Sequence, residues 1–454
     1  MADPAQAADA TGSRRARRLT GIERAALAFY SSAMWLVQPL YRRKLRRRAR
    51  AESGYGHALP ERFARYGATA TVQRGDPAHP VVWLHAVSLG ETRAAGALIA
   101  ALRERIPAVR FVLTSGTATG WQEATRHLRA GDAQTWLPWD TPGAVRRFLE
   151  HFQPQLGLLM ETEVWPNMVE ACARRGLPLW LVNARLNARS AQRIARARWL
   201  MGPAYRHLDA VLAQSEADAT RLRAVGAPVR QVSGNIKFDA RPDPLQVQQG
   251  RQWAGAFKGE TGRAIVMLAS SRDGEEAQWL AALQARTRRE GIQWLVVPRH
   301  PQRFDAVAQL CVQAGFAVSR RSAWQDAPTT DGSIWLGDSM GEMALYYAMA
   351  DVALLGGSFL PLGGQNLIEA CACGCPVVMG PHTFNFAQAA QDAEHCGSAL
   401  RVADMRQAVD TAQALVADGE RLAAMRACAA SFAVSHQGAL GRTVDAIARA
   451  LERA

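Results

Sequence analysis

Four short segments carry carboxylates, a lysine and an arginine to points where an apolar run gives way to a helix or turn. They are Ser88-Leu-Gly-Glu91, Glu161-Thr-Glu163-Val-Trp-Pro-Asn167, Asn183-Ala-Arg185 and Ser233-Gly-Asn-Ile-Lys237-Phe-Asp239. Carboxylates beside cations can take a proton from a hydroxyl and stabilise developing charge. A second set favours anions: Ser270-Ser-Arg272, Pro298-Arg299-His300-Pro301 and Asp338-Ser-Met-Gly341-Glu342-Met343. Arg299 offers the planar fork that meets phosphate or carboxylate with two hydrogen bonds. The third feature is Gly356 to Val378, GGSFLPLGGQNLIEACACGCPVV, which reads as a strand end, a glycine-rich loop, a helix with an early carboxylate and another strand. Gly356, Gly357, Gly363 and Gly364 let backbone approach a ligand, and the first turn of the next helix offers N–H groups to an anion. Glu369, three residues after Asn366, is placed to accept hydrogen bonds from a ribose diol. Taken singly, each element also fits helix capping or an ordinary ion pair. Their joint placement at successive strand ends argues for a nucleotide pocket and an acid–base cluster.

The elements that position these groups alternate. Apolar strands are expected at Val81 to Val87, Arg110 to Thr114, Leu156 to Met160, Pro178 to Val182 and Ala210 to Gln214, each followed by a helical stretch of ten or more residues. A later strand leads into Ser233. The sequence RPDP at Arg241 to Pro244 is the best boundary, and the series restarts with Ala264 to Ala269, Ile292 to Val297, Ile334 to Leu336, Asp351 to Leu355 and Pro376 to Met379 before closing in helices from Met405. Short apolar runs of this kind are buried parallel strands, so the fold class is α/β with two doubly wound domains. In such sheets ligands bind at the carboxyl ends of the strands.

A chain of 454 residues exceeds what one core usually serves. Its formal charge of +14 is concentrated: residues 1 to 50 hold twelve Lys/Arg against Asp3, Asp9 and Glu23. Between Arg14, Arg15, Arg17, Arg18 and the later RRKLRRRAR lies Ala25 to Leu40, an apolar stretch shorter than the roughly twenty residues a spanning helix needs. Tyr30, Trp35 and Tyr41 suit a headgroup region and the arginines suit anionic lipid. The expectation is a membrane-surface anchor or a very short span, with the body on the cytoplasmic side; a solvated basic helix lying on the protein's own surface is the alternative. No small-residue cleavage site follows the apolar run, which argues against a signal peptide. The folded body lacks interleaved basic and aromatic residues, so no nucleic-acid partner is expected. The seven cysteines form no disulfide framework, and Cys371, Cys373 and Cys375 lack the paired spacing of structural zinc, so no metal site is expected.

In order along the chain, WLHAVSLGE, METEVWPN, VNARL, SGNIKFD, VVPRHPQRF, GDSMGEM and GGSFLPLGGQNLIEA resemble the 3-deoxy-D-manno-oct-2-ulosonic acid (Kdo) transferases of lipid A biosynthesis. The resemblance implies a GT-B fold, two Rossmann-like domains facing a cleft behind an N-terminal membrane-associated helix. Residues 1–50 would be the anchor, 51–240 the acceptor domain and 245–454 the CMP-Kdo domain, with the last helices packing back on the first domain. It also implies a metal-independent inverting transfer of Kdo from CMP-Kdo, a donor substrate rather than a cofactor, to a lipid A precursor, lipid IVA, at the cytoplasmic face of the inner membrane with its anionic lipids. By the same resemblance Glu91 is the general base, its basicity helped by burial beside Val87 and Leu89, and Glu161 and Lys237 stabilise the transition state. CMP contacts fall on Pro298, Arg299, Gly341, Glu342, Met343, Asn366, Leu367, Ile368 and Glu369. Many members read Gly-Gly-His-Asn-Pro before the glutamate, whereas Gln365 and Leu367 flank Asn366 here. Another GT-B nucleotide-sugar transferase, or an epimerase, would share the second-domain signals without explaining HAVSLGE.

Overall fold

The computed structural model describes residues 19–67, 79–239, 242–285, 291–324, 327–331 and 333–452. Arg14, Arg15, Arg17 and Arg18 of the first basic cluster, and Arg241 of the RPDP segment, lie outside the described residues. The chain forms two compact units, residues 1–239 with 438–454, and residues 240–437.

In the first unit β1 (Val81–Ala86), β2 (Arg110–Ser115), β3 (Ala133–Trp136), β4 (Leu156–Met160), β5 (Leu179–Ala184), β6 (Ala210–Ala213) and β7 (Val229–Val232) form one parallel sheet in the order β3-β2-β1-β4-β5-β6-β7. Alternate residues supply two cores. Trp83, Val112, Leu159 and Leu181 pack with Phe148 on one face. Val82, Leu84, Leu158 and Val182 pack on the other with Leu98 and, from the last helix Ala439–Leu451, Ile447. That helix is tied in further by the Asp239 carboxylate, which accepts from the Gly438 and Leu440 amides, and by Arg442, which donates to the Ser233 carbonyl at 3.0 and 2.8 Å.

The second unit repeats the plan with β8 (Ala264–Ser271), β9 (Ile292–Pro298), β10 (Val318–Arg320), β11 (Ile334–Leu336), β12 (Val352–Leu355), β13 (Val377–Met379) and β14 (Ala399–Arg401), all parallel, ordered β10-β11-β9-β8-β12-β13-β14. The order in which the chain adds strands reverses between β1 and β4 in one sheet and between β8 and β12 in the other, while all strands stay parallel. Those switch points are where crevices open. The strands left unplaced or imprecise by the apolar runs, β3, β7, β10 and β14, are the four sheet edges. An edge strand is half covered and short, so its apolar signal is weak. Several connecting helices are shorter than expected: Ala118–Thr125 has 8 residues, and Ala188–Arg196, Arg198–Arg206 and Glu216–Ala224 have 9 each.

The N-terminal segment is one helix, Gly21–Ala51, opened by a capping box between Thr20 and Glu23 and running through Pro39. No helix of the described residues is long and apolar enough to cross a membrane. The aromatic assignment is corrected. Tyr30 donates to buried Asp140 at 3.0 Å, and Tyr41 stacks on Trp139 with ring centroids 4.0 Å apart, so both face the first unit. Ser31 donates to Asn167 at 2.8 Å on the same side. The stripe of Ile22, Phe29, Leu36 and Leu40, together with Trp35 on the flank one turn after Ser31, is 65 to 76% exposed. A 3.6-residue period sorts these residues into two faces that composition alone averages together.

Asp140 is the hub of that docking. Its carboxylate accepts from the Asn167 and Met168 amides at 3.0 and 2.9 Å, at the start of helix Pro166–Arg175, as well as from Tyr30. It serves as a remote cap for amides that have no partner within their own helix. Burial pushes its pKa up to about 6 against these lowering bonds. Replacing Asp140 with Ala strands three buried donors and is expected to lower the unfolding free energy by about 2–4 kcal/mol; a urea midpoint equal to the native one would contradict this role.

Candidate active site

The first cluster sits at the β1/β4 switch point. Helix Leu89–Arg105 starts two residues after β1, capped by Ser88, whose hydroxyl accepts from the Glu91 amide at 3.4 Å. The Glu91 carboxylate folds back over this cap, accepting from the Val87 amide at 3.0 Å and the Ser88 hydroxyl at 2.9 Å. It is half-buried. Burial raises its pKa above the usual carboxylate range, and the nearby Glu161 adds to the rise, while the two hydrogen bonds and Lys237 oppose it. The direction matches the expectation for a base beside Val87 and Leu89.

Glu161, immediately after β4, is in the left-handed region, φ 58°, with 2% of its surface exposed. Lys237 donates to one carboxylate oxygen at 2.5 Å and Arg185 pairs with the other at 3.1 Å. The chain holds this geometry by matching it next door. Asn183, at the end of β5, is also left-handed (φ 50°), beside a register shift against β6. Its side-chain oxygen accepts from the Ile236 amide at 3.0 Å, fixing the residue before Lys237. Two non-glycine residues in this region on adjacent strand ends store strain that surrounding contacts must offset, a pattern concentrated at functional sites. Glu91, Glu161, Lys237 and Arg185 are thus brought together from the ends of β1, β4, β7 and β5. Glu163 joins them: burial raises its pKa and Glu91 adds to the rise, while Trp165 donates to it at 2.9 Å. The glutamate two places after Glu161 and the histidine of HAVSLGE, His85, carry no assigned role in the sequence reading, although both lie in motifs it singled out.

The second unit gathers its groups at the β8/β12 switch point and the neighbouring strand ends. Ser270 at the end of β8 is left-handed (φ 52°) and its hydroxyl lies 3.9 Å from the Met343 sulfur, which joins the 338–343 loop to β8. Gly341 is left-handed (φ 82°), and Glu342 is paired with Arg321 at 2.9 Å and accepts from Ser339. Pro298 ends β9 and Arg299 is exposed just beyond it. Burial and three flanking arginines, Arg272, Arg299 and Arg303, push the pKa of His300 down, which marks this end of the sheet as cationic. Asn366 caps helix Leu367–Ala372 by accepting from the Ile368 amide at 3.1 Å, and its own amide donates to Glu369 at 3.1 Å. Leu367 and Ile368 have side chains in the core, 0 and 2% exposed, so only their backbone can face a ligand.

The glycine loop is corrected in one respect. A side chain at Gly356 would meet the Ser270 carbonyl oxygen at 2.4 Å, and one at Gly363 would meet Asn385 at 2.3 Å, so these glycines admit close approach of the protein to itself. The amides of Gly357 and Phe359 donate to Glu275 at 2.7 and 3.1 Å. Glu275 is fully buried, and its burial raises its pKa against those backbone bonds. It holds the loop's shape from helix Glu275–Gln284, a role that its place just after β8 does not announce. Cys371, Cys373 and Cys375 are buried beside this loop's helix.

Comparison with known proteins gives a consistent result. Residues 57–240 match the family described as 3-deoxy-D-manno-octulosonic-acid transferase (kdotransferase). A 3-deoxy-D-manno-octulosonic acid transferase of Bordetella pertussis is 46% identical over 434 residues, 92% of this chain and 98% of that protein. One from Haemophilus influenzae is 30% identical over 429 residues, 94% and 99% of the two chains. Among solved structures, a glycosyltransferase from Rickettsia africae is similar with a TM-score of 0.53 at 12% identity, covering 82% of this chain and 98% of that one, a likeness of fold.

The buried pairing of Glu161 makes its partners structural as well as electrostatic. Lys237→Met removes one of two cations from a buried carboxylate and is expected to cost about 1–3 kcal/mol of stability. Adding Glu161→Gln in the same chain should recover part of the loss, and denaturant curves in which the two changes are simply additive would show the groups uncoupled.

Proposed function

The chain belongs to the 3-deoxy-D-manno-octulosonic acid transferases, and on that premise we propose that it moves Kdo from CMP-Kdo to a lipid A precursor, lipid IVA, in lipopolysaccharide core assembly, with Glu91 as the general base. As a Kdo transferase it is a glycosyltransferase of GT-B fold. The observation that carries the rest is Glu91 itself, a half-buried carboxylate of raised pKa in the first turn of the helix that follows β1, within electrostatic reach of Glu161 and Lys237.

In the proposed reaction a sugar hydroxyl of the acceptor attacks the anomeric carbon of Kdo while the bond from that carbon to the phosphate oxygen of CMP breaks. The electron pair leaves on the CMP phosphate and the hydroxyl proton passes to Glu91, with inversion at the anomeric carbon. A base must be matched to the working pH, and desolvation supplies that match. Glu161 lies where a positive oxocarbenium-like centre would be favoured, and Lys237 balances the negative groups. In the second unit Arg299, with Pro298, Gly341, Glu342 and Met343, would hold the phosphate and base of CMP, and Asn366 to Glu369 its ribose. The reaction needs no metal in this scheme.

Mass spectrometry of the product after incubation with CMP-Kdo and a tetraacylated lipid A precursor tests the function directly. Glu91→Gln should reduce transfer by about 10²–10⁴-fold while CMP binding persists. In the native enzyme kcat/KM should fall as pH drops through a midpoint above the ordinary carboxylate range, because protonated Glu91 cannot accept. A near-native rate in Glu91→Gln would remove it from the mechanism.

We further propose that the enzyme works at the cytoplasmic face of the inner membrane, resting on anionic lipid. The exposed stripe of Phe29, Trp35, Leu36 and Leu40, followed by the basic run Arg42 to Arg50, supports this reading. Trp35→Glu with Leu36→Glu leaves the packed face of the helix intact and should weaken co-sedimentation with anionic vesicles by roughly tenfold or more. Unchanged sedimentation would place the contact elsewhere.

A further inference from the structure

His85 lies at the end of β1 with no exposure, on the sheet face opposite to the helix that bears Glu91. Its Nδ1 is 3.0 Å from the Thr114 carbonyl oxygen and 2.9 Å from the Thr114 hydroxyl. A carbonyl oxygen only accepts, so Nδ1 carries the hydrogen and Nε2 is the nitrogen left to accept. That Nε2 is buried and has no hydrogen-bond partner among the described residues. A carboxylate oxygen of Glu163 lies 4.0 Å from it.

Nε2 and the facing Glu163 oxygen, which also accepts from Trp165 at 2.9 Å, are both acceptors and repel, and the unpaired buried Nε2 costs free energy comparable to a lost hydrogen bond. One proton between them removes both costs. We propose that His85 and Glu163 share a single proton between Nε2 and the facing carboxyl oxygen, and that this neutral pair is a positioning element for Glu91. The 4.0 Å separation exceeds a hydrogen bond, and closing it takes about 1 Å of movement by the Glu163 side chain. Whether the proton resides on nitrogen or oxygen, the pair titrates as one unit.

The consequence is electrostatic. The groups facing Glu163 are His85 from β1, Glu91 from the following helix, Trp165 from its own loop and Tyr205 from helix Arg198–Arg206. With Glu163 charged, Glu91 would sit beside two carboxylates, Glu161 and Glu163, and its pKa would climb further. With the pair neutral, Glu91 and Glu161 are balanced by Lys237 and Arg185. Two negative and two positive groups then make up the cluster, and Glu91 remains available as an ionised base.

This inference rests on the assignment of Glu91 as base, and the test separates the two. Selective ¹⁵N-histidine labelling reads His85 without any turnover. In the native protein the Nε2 resonance should be that of a protonated or hydrogen-bonded nitrogen across neutral pH, and in Glu163→Ala it should shift to that of an unbonded one. Glu163→Ala should lower kcat by about tenfold, the rate equivalent of one lost hydrogen bond, and Glu163→Gln, whose amide N–H still reaches Nε2, should restore most of it with the acid limb of kcat/KM unmoved. A native Nε2 signal typical of a free, unbonded nitrogen overturns the proposal, and so does an acid limb in Glu163→Gln that moves to lower pH, since that would reveal a charge removed. If Glu91→Gln were fully active, the base assignment alone would fall, and the His85 resonance would still report on the pair.

Discussion

A carboxylate with 2% of its surface exposed has to be paired or it will not stay buried. Glu161 is that carboxylate, and much of the first unit's active end follows from its needs. Lys237 comes from beyond β7 and Arg185 from beyond β5, so the ion pair clasps three strand ends that are distant in sequence. The left-handed turn at Glu161, and the matching one at Asn183, aim these groups inward. The same clasp gives Glu91 a neighbouring negative charge and a nearby cation, and so ties its basicity to the geometry of β4.

The second unit applies a related device to a loop. Glu275 uses its carboxylate on the backbone amides of Gly357 and Phe359, and the glycine-rich turn takes its shape around a buried anion. Amides occupied in this way are not offered to a phosphate. The positive character at this end of the sheet comes instead from Arg272, Arg299 and Arg303 around His300. Arg303 is anchored among them by two carboxylates, Asp273 and, at 3.1 Å, the buried Glu276.

The N-terminal helix joins the two kinds of surface. Through Tyr30 and Ser31 it reaches Asp140 and Asn167, at the start of the helix that follows the Glu161–Glu163 loop. Its other face carries bare apolar side chains. The exposed apolar face and the Glu161–Glu163 loop are therefore connected by a short chain of hydrogen bonds.

The alternation of strands and helices, the central strands of both sheets and the motifs at their carboxyl ends were legible because each depends on local pattern. Apolar runs of five or six residues bounded by polar turns read the same in any context. The candidate residues Glu91, Glu161 and Arg299 were legible for the same reason, as charged groups placed soon after such runs, and Glu369 as an early carboxylate of the helix that follows the glycine-rich loop. The edge strands were not, since a strand covered on one side has no continuous apolar signature. Nor was the sorting of Tyr30 and Tyr41 away from Trp35, which depends on what the helix packs against. The roles of Asp140 and Glu275 were invisible because the amides they serve lie 27 and more than 80 residues away. By itself the sequence determined which chemical groups stand at the strand ends. Only the tertiary structure decided which of them are buried together, because burial and pairing depend on distances between segments that the chain brings close only when the parallel sheets form.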